Sequence, residues 1–356
     1  MGLRVNLRSF GNCRFVGLLA LLAVLLSSPW RSLAAAAPPP VAEKEGESGS
    51  ATPAKDAAPA ATPQPETKPA NKNQAKDDDA KNDAKPAAKQ GPPRFIRVKR
   101  NDDKTPVALE TSVTRYVPKE AGRDGVQIDL VGVVHIGEKD YYEKLNERFR
   151  DYDVVLYELV APEGTRVPKG GGRGGNVHPL SALQQGMKSM LALEFQLEHI
   201  DYTVKNLVHA DMTPEEMAKS MSDRQESWSQ MFFRMIGQGI AQQSKNQGGG
   251  GDYAMLAALF SKDRPLKLKR ILAQQFEDMD ASMSVLEGPD GSTLITERNK
   301  KALSVLDREL KAGKKRIAVF YGAGHMQDME KRLLADFGLK LTDEQWLTAW
   351  RMEVAK

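Results

Sequence analysis

Cysteine is almost missing from this chain: there is one, Cys13, in 356 residues. One thiol cannot form an intrachain disulfide, so no disulfide framework holds the fold. Aromatic residues are sparse, at 6%. The formal net charge of +4 is small for the length. No concentrated basic face accompanies it, so nucleic acid is not an expected partner. No apolar run reaches the roughly 20 residues that a transmembrane helix needs. No HExxH helix is present, which excludes an ordinary zincin.

What is present begins with a targeting pattern. Arg4, Arg8 and Arg14 precede the apolar run 15–26, and Ser32, Leu33 and a string of alanines follow. A positive region, a short apolar region and a small-residue cleavage zone make residues 1–35 a signal peptide. The expected location is therefore exported: periplasmic, cell-envelope or extracellular. A membrane is a partner only if the segment stays uncleaved. Cleavage would also remove Cys13 and exclude thiol catalysis in the mature chain. Residues 36–92 are mostly Ala, Pro, Lys, Asp and Gln. Such a stretch cannot bury enough apolar surface to offset its ordering entropy and reads as a disordered linker.

The folded domain is expected over 93–356. Alternating residues at 94–100, a turn at Asn101-Asp102-Asp103 and a β-like run at 107–117 read as a hairpin at a sheet edge. Residues 128–134 are a near-continuous apolar run, as in a strand covered on both faces. Gly132 interrupts it and permits close approach of a backbone or ligand. Helical spacing follows over 139–152, with Tyr142, Leu145 and Phe149 on one stripe, and then a second buried strand over 153–160. Strand, helix and strand of this length predict a parallel crossover. Residues 169–176 are a glycine-rich loop without nucleotide-motif spacing. A helical insertion is expected over about 180–275. It contains methionine-rich stripes, which read as core, and a helix start at Thr213-Pro214-Glu215-Glu216. A helix over 292–312, a strand over 317–321 and a helix over 326–337 come next. Residues 345–352 fit a last strand or a short closing helix. The fold class is α/β, a mostly parallel sheet with flanking helices and a helical insertion.

Ligands of open α/β sheets bind beyond the carboxyl ends of the strands. Of five histidines, His135 and His325 each close a Gly-x-x-His at such an end, and Glu158 stands near a third. Two imidazoles and a carboxylate suit a divalent transition metal. A metal bound there would polarise a carbonyl or lower the pKa of bound water from about 15.7 to about 7. Glu158 is a ligand or the general base. Arg298 is a candidate for stabilising an oxyanion, with Asn299 orienting a neighbour. His199, Asp201, His209 and Asp211 form a second polar group, read as local capping.

These pieces resemble the TraB/PrgY/Tiki family, which includes GumN-like proteins. The matching motifs are GVVHIG (132–137), YELV (157–160), ERN (297–299) and GAGHM (322–326). The resemblance implies an α/β domain with a helical insertion, related in outline to the erythromycin-esterase and ChaN-like groups. Its Tiki branch implies a metal-dependent protease acting on a peptide or protein substrate and favouring Mn or Co; Zn also suits the donor set. The family's two histidines map onto His135 and His325, its glutamate onto Glu158 and its arginine onto Arg298. The alternative is a non-catalytic envelope protein that binds a peptide or haem on the same fold, with His or Tyr as axial ligands.

Overall fold

The computed structural model describes residues 95–170, 186, 188–227, 257–280 and 291–353. The signal peptide, the linker, residues 171–176 of the glycine-rich loop and the methionine stripe around 231–236 lie outside the described residues.

The expected hairpin forms from β1 (Ile96–Arg100) and β2 (Pro106–Pro118), which pair antiparallel. Three parallel strands make the centre: β3 (Gln127–Val133), β5 (Val154–Tyr157) and β8 (Arg316–Gly322). Their near-continuous apolar sequences suit strands buried on both faces. Among the described residues the seven-stranded sheet runs β1-β2-β3-β8-β5-β7, where β7 is Leu207–His209, and the long strand β9 (Leu339–Arg351) pairs antiparallel with β2. The terminal segment is thus a strand rather than a short helix. Trp350 anchors it by donating its indole N–H to Ile136 O at 2.7 Å.

Helices cover both faces of the sheet. Val131, Val133, Val155 and Phe320 are buried with α1 (Lys139–Phe149) and α4 (Arg264–Asp280). The alternate residues Leu130, Leu156 and Val319 are buried with α5 (Arg298–Lys311) and α6 (Met326–Ala335). The chain is an α/β domain. Helix α1 ends before Tyr152, whose hydroxyl donates to the buried Asp129 carboxylate at 2.6 Å. At Gly132 a Cβ would lie 3.4 Å from Ser112 O and 3.6 Å from Phe95 O, ordinary contact distances, so the close approach expected there does not require glycine.

Two features refine the sequence reading. The crossover from β3 through α1 to β5 is parallel, but β8 lies between the two strands. The described part of 180–275 is mainly helical, yet it contributes two short strands. Leu207–His209 (β7) extends the main sheet beside β5. Glu194–Phe195 (β6) pairs with Ile136–Gly137 (β4) in a small ribbon and leads into α2 (Gln196–His199). These runs are too short to show strand periodicity against a helical background.

The helix start at Thr213 forms as its sequence predicts. It opens α3 (Pro214–Asp223) with a reciprocal capping box: Glu216 N–H donates to Thr213 Oγ1 at 3.1 Å, and Thr213 N–H to Glu216 Oε2 at 2.8 Å. Thr213→Ala is expected to lower the unfolding free energy by about 1 kcal/mol, read from urea denaturation. An unchanged midpoint would show that the cap does not govern this helix.

Candidate metal and catalytic site

Because β8 lies between β3 and β5, three neighbouring parallel strands end side by side, with β7 next to β5. Their carboxyl ends deliver His135 after β3, Glu158 after β5, Asp211 after β7 and the Gly322–His325 turn after β8. The fifth element comes from the opposite side of the sequence. A five-residue π-helix, Thr293–Glu297, precedes α5, with Glu297 N–H donating to Ser292 O at 3.1 Å. Such widened turns recur at functional sites. Here one is followed at once by two consecutive buried polar residues, Arg298 and Asn299.

Arg298 is the hub. Its Nε donates to Asp211 Oδ1 at 2.9 Å and its Nη2 to Asp211 Oδ2 at 2.6 Å, a bidentate pair. Nη2 also donates to Glu158 Oε1 at 2.6 Å. Nη1 faces Leu294 O at 3.4 Å and His325 Nε2 at 3.5 Å. Every N–H of the guanidinium therefore points at a protein acceptor. That geometry suits a clamp on two carboxylates more than a donor held open for an oxyanion. Burial works against the charge, but Asp211 and Glu158 outweigh it and raise the Arg298 pKa well above its ordinary value.

Glu158, whose side chain is 10% exposed, is held at both oxygens. Oε1 takes Arg298, and Oε2 accepts the Gly322 N–H at 2.7 Å. Burial pushes its carboxyl up; Arg298 and then His325 and His135 more than offset this and hold it well below the usual carboxylate range. A carboxylate so firmly ionised is a good ligand and a weak base.

The histidines are held alike. His325 Nδ1 lies 2.7 Å from Asn299 Oδ1. The Asn299 amide nitrogen donates to His325 O at 3.1 Å and to Asp328 Oδ2 at 2.9 Å. Both of those atoms can only accept, so the amide orientation is fixed and His325 carries its proton on Nδ1. Its Nε2 then faces Glu158 Oε1 at 3.5 Å. His135 Nδ1 meets Gln196 Oε1 at 2.9 Å, and Gln196 Nε2 donates to Tyr202 OH at 2.8 Å. The space between the three groups is kept by Gly322. A Cβ there would sit 3.3 Å from Glu158 Oε2, 3.5 Å from His135 Nε2 and 3.8 Å from His325 Cδ2.

Two imidazole Nε2 atoms and a carboxylate around a cradle that one methyl would fill are a donor set fit for a divalent transition ion. Among the described residues, the group whose ligand atoms all fall within 4.8 Å of one another is a different one, Glu194, Glu198 and His199. There His199 Nε2 is already 3.1 Å from Glu194 Oε2, and the Lys188 ammonium pairs with both carboxylates. That cluster is satisfied internally. The donors of His135, Glu158 and His325 are spaced more widely around their cradle.

All four residues expected at the site, His135, Glu158, Arg298 and His325, meet at one end of the sheet, and Asn299 orients His325 as expected. Three partners escaped the sequence reading. Asp211, grouped with capping residues, bonds its own neighbour Met212 N–H at 2.8 Å but chiefly anchors Arg298. Its position just past the β-like run LVH was the available signal. Gln196 and Tyr202 gave none. Comparison with protein-family models, with curated proteins and with solved structures finds no match for this chain.

Asp211→Ala would leave a buried guanidinium with one carboxylate. Breaking a buried pair from one side costs about 3–5 kcal/mol, so a large fall in the denaturation midpoint is expected. A loss below about 1 kcal/mol, the range of an exposed pair, would contradict the burial described for Arg298.

Proposed function

We propose that this chain is an exported, divalent-metal-dependent hydrolase acting on peptide bonds. His135 and His325 are its metal ligands, and Glu158 is the third. The observation that supports this best is the shared posture of the two imidazoles. Each is tied through Nδ1 to a side-chain amide, leaving Nε2 beside Glu158 and the Gly322 cradle. Export rests on the N-terminal targeting pattern, and the peptide substrate on the resemblance to the TraB/PrgY/Tiki family.

A divalent ion held by these residues would supply Lewis acidity and a bound water acidic enough to ionise near neutral pH. The chain's own groups have separate duties. Asn299 holds the His325 proton on Nδ1. Gly322 leaves room for a reacting group and, through its N–H, aims Glu158 Oε2. Glu158, held at both oxygens by Arg298 and the Gly322 N–H, is placed here as a ligand. Arg298 holds Glu158 in place and is a positioning residue for it.

Equilibration of the full chain with Mn, Co or Zn, followed by elemental analysis, tests the reading. Near-stoichiometric metal is expected in the wild type and almost none in His135→Ala/His325→Ala. Metal-loaded protein should then cleave peptides, with the double variant inactive. Absence of metal from both proteins would overturn the proposal. Metal binding without any peptide cleavage would replace it with the binding-protein reading.

Gly322→Ala separates the cradle from the fold. Gly322 has φ −51° and ψ 138°, at the edge of the extended region and not in the left-handed region that favours glycine. Its methyl would nevertheless stand within 3.5 Å of Glu158 Oε2 and His135 Nε2. Metal occupancy at about tenfold excess of Mn is expected to collapse while the folded far-ultraviolet circular dichroism persists. Full occupancy in that variant would place the metal elsewhere.

A further inference from the structure

We infer that Gln196, supported by Tyr202, is the positioning residue that fixes the ring orientation and tautomer of His135. It lies in none of the strand-end motifs. The role rests on the metal-site reading above for its chemistry and on the following geometry for its structure.

The small ribbon sets the contact. Ile136 stands opposite Phe195, and Gly137 opposite Glu194. One further step in that antiparallel register places His135 opposite Gln196. The backbone completes the step, since Gln196 N–H donates to His135 O at 2.9 Å. Gln196 therefore grips His135 twice, once at the carbonyl and once at ring Nδ1, where its Oε1 is 2.9 Å away. With Oε1 facing the ring, as the structure orients the amide, Nδ1 is the protonated nitrogen and Nε2 keeps its lone pair.

The amide is held in its turn. Gln196 is 4% exposed and Tyr202 8% exposed, and Gln196 Nε2 donates to the Tyr202 hydroxyl at 2.8 Å. Tyr202 packs edge-on against Tyr157, with ring centroids 5.1 Å apart, so the hydroxyl is fixed by the core. Both ends of this buried amide are engaged, which holds it against the ring; the Tyr202 hydroxyl can accept or donate, so the tautomer itself is what the experiment below reads. Asn299 does for His325 what Gln196 does for His135: each offers an amide oxygen to Nδ1, which leaves His135 Nε2 facing the cradle and His325 Nε2 facing Glu158 Oε1. Outer partners of this kind determine which imidazole nitrogen binds a metal.

The test reads the tautomer directly, without metal and without activity. The full chain labelled with nitrogen-15 histidine is examined by long-range proton–nitrogen NMR at about pH 8, above the ordinary imidazole range. His135 is identified by comparison with His135→Ala. The wild type should show a protonated Nδ1 and an unprotonated Nε2. Gln196→Leu should move His135 toward the Nε2–H form and weaken Mn binding about 10- to 100-fold. Gln196→Glu, which retains an acceptor oxygen, should preserve the Nδ1–H form and most of the affinity. Tyr202→Phe keeps the ring in the core and removes only the hydroxyl; an intermediate tautomer shift is expected, and this variant serves if Gln196→Leu does not fold. An Nε2–H signature in the wild type, or an unchanged tautomer in both Gln196→Leu and Tyr202→Phe, would overturn the assignment. A wild type with the Nδ1–H signature that binds no Mn would uphold the hold of Gln196 on His135 and defeat the metal reading instead.

Discussion

A guanidinium buried between two carboxylates is the constraint on which this site depends. Arg298 is 9% exposed, and its charge is tolerable there only because Asp211 and Glu158 meet it at hydrogen-bond distance. Taking such ions out of water costs several kcal/mol each, and the attraction between them offsets that only with good geometry. A hydrophobic replacement of the same shape would serve stability as well. What the charged arrangement supplies is placement. It joins α5 to the ends of β5 and β7 and leaves Glu158 ionised with its second oxygen on the Gly322 N–H. The histidine sites then follow from the same elements, since Asn299 succeeds Arg298 in sequence and Gly322 leads to His325.

Strand order makes the convergence possible. If β5 paired directly with β3, the Gly322–His325 turn would not lie between His135 and Glu158. With β8 between them, its terminal turn lies beside both His135 and Glu158, and one glycine at its end touches the territory of all three side chains. The π-turn before α5 adds the fifth contributor. It is a local departure from α geometry immediately before the two residues that turn inward. The functional groups thus sit on ends of rigid elements, while the elements themselves are packed through two apolar layers.

Much of this was legible in the sequence because it depends on local pattern. Continuous apolar runs marked β3, β5 and β8 as strands buried on both faces, and glycine before histidine marked where two of them end. The Thr213 box is readable within four residues. What was hidden depends on distance along the chain. Asp211 and Arg298 are 87 positions apart, and nothing near Asp211 distinguishes a cap from a partner brought in by another helix. Gln196 owes its place to the register of a two-residue ribbon, which is too short to have a period. The insertion of β8 between β3 and β5 is equally silent, because apolar alternation encodes which faces are buried and not which strand lies alongside.

The two carboxylate–imidazole clusters differ in what a cation would ask of their residues. Glu194, Glu198 and His199 are already close, but the imidazole nitrogen and both carboxylates are engaged with one another and with Lys188. A metal there must displace an ammonium and break an imidazole–carboxylate bond, and the site is rich in hard oxygen donors. At the strand ends the amides hold the imidazoles by Nδ1, so metal binding breaks none of those bonds; at His325 Nε2 it must displace only the long 3.5 Å contact from Arg298 Nη1. Two imidazoles with one carboxylate also favour borderline transition ions over Mg or Ca. Two carboxylates against one guanidinium leave a negative surplus close to those nitrogens, which favours an arriving cation. Ligation there asks the side chains to move inward, and the absence of a Cβ at Gly322 leaves room beside Glu158 Oε2 and His135 Nε2.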